Sequence, residues 1–356
     1  MSTRGKAWVE VDVEALVDNA RTLAKIAGTR LLPVVKANAY GVGAVLVSKA
    51  LEQLDPWGYG VATIDEGAEL RAAGITRPIL VFMPAHPQWF DEYDRHHLTP
   101  VLGDAGGILE WTTRGDRPFH VEIDTGMGRA GVRWDAVDEL GEAVDTPSFE
   151  GCYTHFHSAE RRDGSAEQQL ERFHGAVAKL PRRPALLHAA NSAGALRGKQ
   201  FALDLVRPGI FLYGGSLADD LPQPKPVVSV RARVLSVRRV RRGESVSYDA
   251  SWTAPHDTVI ATLRCGYADG LRRTAGTAGG ACVLLRGQRR PIVGFVQMDM
   301  ALVETGTLEV QVGDIATIVG EDAKQRITLG ELAQWSGEVP HEFLTGLGAR
   351  LPRVPE

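Results

Sequence analysis

Cysteine is scarce in this chain. Cys152, Cys265 and Cys282 stand far apart among 356 residues, an odd and widely spaced set that suits reduced thiols in the cytoplasm. Neither a CxxC nor an HExxH spacing occurs, so no metal site is expected. Charge of one sign is not in excess either. A formal net charge of −4 is too mild to point to nucleic acid or to a membrane surface. Long apolar runs are missing as well: the longest are strand-length, well short of the roughly 20 residues a membrane helix needs. The opening "MSTRGKAWVEVD" has no apolar core followed by a small-residue cleavage site, so no signal peptide is expected. Internal repeats and low-complexity segments are absent.

What is present reads as an ordinary globular protein, with 44% apolar and 24% charged residues. The length suits two domains, or one large barrel with an appendage. Trp8, Val9 and Val11 suggest a short strand within residues 7–13, and Asp12 is placed to cap a helix directly after it. Leu16, Ala20, Leu23 and Ala27 then recur at helical spacing, and Gly28 supplies a stop. After that, apolar runs alternate with helical stretches such as "DEGAELRAAG" and "SAEQQLERFHGAVAKL". The strand candidates are Leu31–Val35, Gly58–Ala62, Ile79–Met83, Leu98–Leu102, Phe119–Ile123, Phe149–Thr154, Ala185–His188 and Leu203–Val206. Eight strands separated by helices predict a parallel (β/α)8 barrel of the TIM type, with an open doubly wound sheet as the alternative.

The style changes near residue 226. "KPVVSVRARVLSVRRVRRGESVSY" and the segments after it alternate β-branched and charged residues between Gly-rich turns. We therefore expect an α/β barrel domain over 1–225, its short N-terminal strand at 7–13 a candidate to pack on the second domain, and a mostly antiparallel β domain over 226–356. "TLGELAQWSG" reads as a short helix and "PHEFLTGLGARLPRVPE" as a tail.

On a barrel, chemistry gathers at the C-terminal ends of the strands. Lys36, Arg129, His155, His188 and Arg207 all fall there in this register. Any one alone is more simply structural; together they suit an anionic ligand carrying a phosphate and a carboxylate. The "NSAG" and "RPGI" segments offer Ser192 and the backbone of Gly209 and Ile210 as phosphate donors. A lysine at such a strand end is a candidate amine nucleophile that holds an aldehyde as a Schiff base.

In order along the chain, "VVKANAYG", "DTGMGRAG", "THF", "HAANSAG", "RPGIFLYG", "GYADG", "GFVQMDM" and "RLPR" together resemble the bacterial alanine racemase family, pyridoxal-phosphate enzymes built from a barrel and a β domain. The resemblance implies that pyridoxal 5'-phosphate is the cofactor, bound through Lys36, and that Lys36 and Tyr267 are the two acid–base groups. Tyr267 would reach in from a second subunit, making a homodimer with shared active sites and a small amino acid as substrate. Arg207 would face the pyridine nitrogen with His188 behind it, and His155 would orient the tyrosine. Tyr40, Ser192, Gly209 and Ile210 would hold the phosphate. Arg129 and the backbone at Met298 would hold the substrate carboxylate, with Gln297 beside the substrate entrance and Asp299 in support.

The chain departs from the family pattern at four places, one of them carrying two residues. Glu122 stands where many members carry a carbamylated lysine that braces Arg129, and we read it as a substitute anion. Phe295 and Gln297 replace an arginine and a small residue. Ala349 replaces a phosphate-binding tyrosine before "RLPR", and Val42 replaces a histidine. These changes make racemisation of another small amino acid, serine-like, the alternative to alanine. Decarboxylases of this fold place a glutamate opposite the pyridine nitrogen, which Arg207 argues against. A non-catalytic cofactor carrier would not need the domain bearing "GYADG".

Overall fold

The protein was analysed as a computed structural model that describes residues 7–277 and 279–356. The first six residues of the stretch read for a leader therefore lie outside the described residues.

The chain opens with strand β1 (Trp8–Val11), shorter than the 7–13 span expected, because Asp12 ends it by capping helix α1 (Val13–Ala27). The Asp12 carboxylate accepts from the Ala15 N–H at 2.8 Å. Gly28 closes the helix in the left-handed conformation at φ 68°, where a Cβ is costly. Leu16, Ala20, Leu23 and Ala27 are buried along one face, as their spacing requires. On the same helix the Asn19 side chain grips the Lys225 backbone, accepting from its N–H at 2.8 Å and donating to its carbonyl at 2.9 Å. That tie pins to α1 the segment that leads into the β-rich half.

Eight parallel strands come next: β2 (Arg30–Leu31), β3 (Tyr59–Val61), β4 (Ile79–Pro84), β5 (Thr99–Leu102), β6 (Phe119–Asp124), β7 (Phe149–Tyr153), β8 (Leu186–His188) and β9 (Leu205–Val206). Strands β3 to β8 pair in that order, and β9 pairs back to β2. The barrel closes through a bridge between Val34 and Gly60 on one side of β2 and the Leu32 N–H to Val206 carbonyl bond on the other. The expected barrel is borne out. The first strand is shorter than its apolar run because Pro33 has no N–H to give to the ladder.

The second half is β-rich. Strand β10 (Val228–Val240) buries Val228, Val230, Ala232 and Val234 on one side and turns Arg231 and Arg233 outward, the period-2 alternation of a half-buried strand. After it come β11 (Thr258–Leu263), β12 (Cys282–Leu285), β13 (Gln288–Pro291), β14 (Ala301–Glu304) and β15 (Ile315–Asp322); β10 pairs antiparallel with β11 and β15, β11 with β14, and β12 with β13 and β15. β1 joins this sheet rather than the barrel, antiparallel to β10.

The C-terminal stretch corrects the sequence reading. After helix α2 (Leu329–Ser336), "PHEFLTGLGARLPRVPE" is not a bare tail: it forms helix α3 (Pro340–Thr345) and strand β16 (Arg353–Pro355), parallel to β1. Pro352 precedes this strand and Pro355 ends it, which an edge position tolerates. The Arg353 guanidinium explains why the segment folds back: it donates to the carbonyls of Gly41, Leu347, Gly348 and Leu351 at 2.6–2.9 Å. Among the described residues no helix is long and apolar enough to cross a membrane.

Candidate active site

A cavity of about 670 Å³ opens where the barrel strands end, lined by Lys36, Tyr40, Glu122, Arg129, His155 and Arg207 among others. Its lysine is presented by an unusual piece of backbone. Ala37, Asn38, Ala39 and Tyr40 all have φ between 50° and 55°, and Gly41 comes next at 78°. This single left-handed turn costs on the order of 1–2 kcal/mol per non-glycine residue, so other contacts must hold it. Glu66 supplies one: its carboxylate accepts from the Ala37 N–H and the Ala62 N–H, each at 2.7 Å. The Asn38 side chain accepts from the Ala44 N–H at 2.8 Å. Lys36 and Tyr40, at either end of this turn, both point into the cavity.

Burial pushes the Lys36 ammonium below its ordinary pKa, and the Arg129 guanidinium adds to this while Glu66 opposes it. The neutral amine, which is both nucleophile and base, is thereby favoured. Tyr40 stacks on Tyr213 with ring centroids 4.8 Å apart, and burial pushes its phenol up to about 12, so it stays a neutral hydrogen-bond donor. Its hydroxyl lies where a Cβ on Gly209 would stand at 2.3 Å; only glycine lets the two approach. The Gly209 N–H donates to Ser192 Oγ at 2.8 Å. Tyr40, Ser192, Gly209 and Ile210 line one corner, where the Tyr40 and Ser192 hydroxyls are neutral donors that suit a phosphate.

Arg207 is fully enclosed, at 3% exposure. Its Nη1 donates to His188 Nδ1 at 3.0 Å and to the His188 carbonyl at 2.9 Å. Its Nη2 donates to the carbonyls of Thr154 at 2.6 Å and Ala189 at 3.1 Å. A guanidinium has five N–H groups, so the Nε–H is the one left for a ligand in the cavity. Burial lowers Arg207 to about 10, which leaves it a cation at neutral pH. Burial and this guanidinium together drive His188 well below its usual range and His155 down to about 3, so both are neutral imidazoles.

Glu122 is buried, and its pKa is raised by that burial, against the opposing pull of Tyr153 and Arg129. Its Oε2 accepts from the Tyr153 hydroxyl at 3.0 Å, and its Oε1 lies 3.5 Å from Arg129 Nη2. Gly131 makes room for this strand end: a Cβ there would meet the Glu122 carbonyl at 2.4 Å.

The structure does not bring every expected residue to this cavity. Tyr267 opens a 3-10 turn, Tyr267–Asp269, in the β-rich half and is 41% exposed. Met298 is 54% exposed, and Gln297 and Asp299 lie beside it. The two segments are bound together: the Tyr267 N–H donates to the Gln297 carbonyl at 2.9 Å and the Ala268 N–H to the Met298 carbonyl at 3.0 Å. Gly266 has no room for a Cβ, which would sit 2.3 Å from both carbonyls. The Arg350 guanidinium clamps the pair, bidentate on buried Asp269 at 2.7 and 3.0 Å and reaching Asp299 at 2.7 Å. None of the four lines the cavity of its own chain. Of the positions that depart from the family pattern, Val42 is packed in the core, Phe295 lies under Arg273 with its ring centroid 3.9 Å away, and Ala349 is exposed.

Sequence reasoning missed several residues. Glu66 was legible only as the fourth member of a "TIDE" capping box with Thr63, not as the brace of the Lys36 turn. His341, on α3, lines the cavity with its ring 5.8 Å from Tyr40. His120 and Glu150 lie behind His188. The alternation in "FHVEID", polar at every second place of a strand buried on both sides, was an available signal for His120.

Family models describe these same two halves. A model of the alanine racemase N-terminal domain matches residues 11–217, and one of the alanine racemase C-terminal domain matches residues 227–355. The alanine racemase of Carboxydothermus hydrogenoformans is 36% identical over 364 residues, covering 98% of each chain. A crystal structure of alanine racemase from Bartonella henselae with covalently bound pyridoxal phosphate superposes with a TM-score of 0.91 at 32% identity, covering 99% of this chain and 100% of that one. A histidine racemase from Leuconostoc mesenteroides subsp. sake superposes with a TM-score of 0.90 at 25% identity, covering 100% and 99%.

Proposed function

The chain belongs to the alanine racemase family, and from that premise we propose how its own residues interconvert L- and D-alanine with pyridoxal 5'-phosphate. The observation that carries the reading is one cavity holding a lysine amine with a lowered pKa, a neutral phosphate corner and a buried arginine with one N–H left to give.

Lys36 would hold the cofactor's aldehyde through Nζ, and Tyr40, Ser192, Gly209 and Ile210 its phosphate. When bound, the cofactor supplies an electron sink for the pair of electrons left on the substrate's α-carbon. The Arg207 Nε–H would meet the ring nitrogen as an acceptor. A guanidinium gives up its proton reluctantly, so Arg207 keeps that sink weak and disfavours side reactions.

Inversion needs a proton taken from one face and another returned to the opposite face. Lys36 Nζ serves one face. The hydroxyl of Tyr267 serves the other, and its exposure away from its own cavity supports delivery from a second copy. We therefore assign a homodimer in which each cavity is completed by Tyr267 of the partner subunit, with Gln297 and Met298 arriving on the same bound pair of segments. His155, neutral, orients that tyrosine. Arg129 and the backbone N–H at Met298 take the substrate carboxylate. The barrel within residues 1–225, whose leading strand β1 packs on the second half, thus holds the cofactor, and residues 226–356 carry the second base. Three free, buried cysteines support a cytoplasmic setting.

Glu122 bears on substrate binding through Arg129. The pair is half exposed on the arginine side, so its worth is that of a partly solvated ion pair, about 1 kcal/mol at most. Glu122→Gln should raise KM for alanine by about two- to fivefold and leave kcat within about twofold. Steady-state kinetics in both directions check this.

The test of the function tracks α-proton exchange in deuterium oxide by proton NMR, with chiral analysis of products, for protein supplied with cofactor. Exchange with inversion of alanine is the expected result. Inversion of serine or histidine but not alanine would show that Gln297, hydrogen-bonded through its carbonyl to Tyr267, marks a change of substrate. No exchange for any amino acid would overturn the reading.

A further inference from the structure

Behind Arg207 the barrel interior is not apolar. His188 Nε2 lies 2.9 Å from His120 Nδ1, and His120 Nε2 lies 3.3 Å from Glu150 Oε2. Both imidazoles are fully buried, while Glu150 is 31% exposed and lines a second cavity of about 590 Å³ at the opposite end of the barrel, beside Arg182 and Arg183. Gly151 is what lets His120 lie there: a Cβ at Gly151 would stand 2.3 Å from the His120 ring. The His120 ring is also tilted against Trp57 at 5.5 Å between centroids. The interior has therefore been cleared for this histidine.

The two ends of this chain fix the direction of every bond in it. A guanidinium donates only, so His188 Nδ1 must accept from Arg207 and its proton must lie on Nε2. His120 Nδ1 must then accept from His188, which places the His120 proton on Nε2. That proton points at Glu150, whose carboxylate accepts only. No other arrangement with one proton on each ring satisfies all three contacts, and a buried polar group left unmatched is costly.

We propose that His120 and Glu150 are positioning residues for the reaction, because the chain Arg207–His188–His120–Glu150 locks the tautomer of His188 and so holds the Arg207 Nε–H toward the cofactor's ring nitrogen. The proposal rests on the reading of Arg207 given above, but the chain itself exists whether or not that reading holds. Its anchor, the Glu150 carboxylate, lies at the far end of the barrel beside Arg182 and Arg183.

The test uses holoenzyme labelled with 15N-histidine, with ring tautomers read from long-range proton–nitrogen NMR spectra and assigned with the His120→Asn variant. In the unaltered protein both His188 and His120 should carry the proton on Nε2. Glu150→Leu removes the terminal acceptor; the His120 signal should shift toward a mixture of tautomers, and kcat should fall about tenfold, the scale of one buried hydrogen bond, with KM within about twofold. Glu150→Gln keeps a carbonyl acceptor at a half-open site and should restore both the tautomers and kcat to within about twofold of the starting protein. A proton on Nδ1 of either ring in the unaltered protein overturns the proposal. So does a Glu150→Leu variant with unchanged kcat, or one whose kcat falls while both tautomers stay fixed. Intact tautomers in a protein that racemises nothing would instead remove the reading of the active site and leave the chain in place.

Discussion

Tyr267→Phe is expected to stop proton removal from L-alanine while leaving D-alanine able to lose its α-proton to solvent. The phenyl ring preserves the turn at Tyr267–Asp269, because the bonds that hold it are made by the backbone and by Asp269 and Arg350 rather than by the phenol. Only the hydroxyl is lost. A positioned acid–base group contributes about 10²–10⁴-fold, and L-to-D turnover should fall by that factor. Lys36 remains in place on the other face, so α-hydrogen exchange of D-alanine in deuterium oxide should persist without inversion. Retention of L-to-D turnover near its starting rate would remove Tyr267 from the mechanism. Loss of exchange for both enantiomers would mean that the substitution had disturbed the cavity as a whole.

The barrel was legible because its strands are buried on both faces and read as compact apolar runs separated by amphipathic helices. The first strand was drawn too long for a local reason, the missing N–H of Pro33. What escaped sequence reasoning was set by distant partners. Nothing in "KANAY" announces a left-handed turn, since no glycine occupies its first four left-handed positions; the turn is imposed by Glu66, 29 residues away from Ala37. The tail became a strand because Arg353 finds carbonyls at Gly41 and Leu347, the first of these contacts spanning most of the chain. The candidate residues at strand ends could be named from their places in the barrel register, while Tyr267 had no such register and was named only through the resemblance of "GYADG". A single chain leaves it on the surface, which is the state expected of a residue that acts across an interface.

On the proposed reading, Lys36→Ala should abolish racemisation in both directions, because it removes together the group that would hold the cofactor and the base for one face. Lowered proton affinity at Nζ favours the neutral amine that both tasks need; as pH falls through the depressed pKa the amine is protonated and both are lost. The more demanding prediction combines this variant with Tyr267→Phe. If each cavity takes its lysine from one chain and its tyrosine from the other, a hybrid of the two inactive variants contains one site with both residues intact and one with neither. Random reassociation makes about half the dimers hybrid, and one working site in each should return about a quarter of the starting activity. Mixing the inactive proteins under conditions that exchange subunits, then measuring alanine racemisation, reads this directly. Activity that stays at zero, with hybrid dimers shown to be present by mass, would place Lys36 and Tyr267 in the same chain's site or in no common site, and the shared-site homodimer would fall with it. Recovery near the expected fraction cannot arise from either variant alone, since each supplies what the other lacks only across the interface.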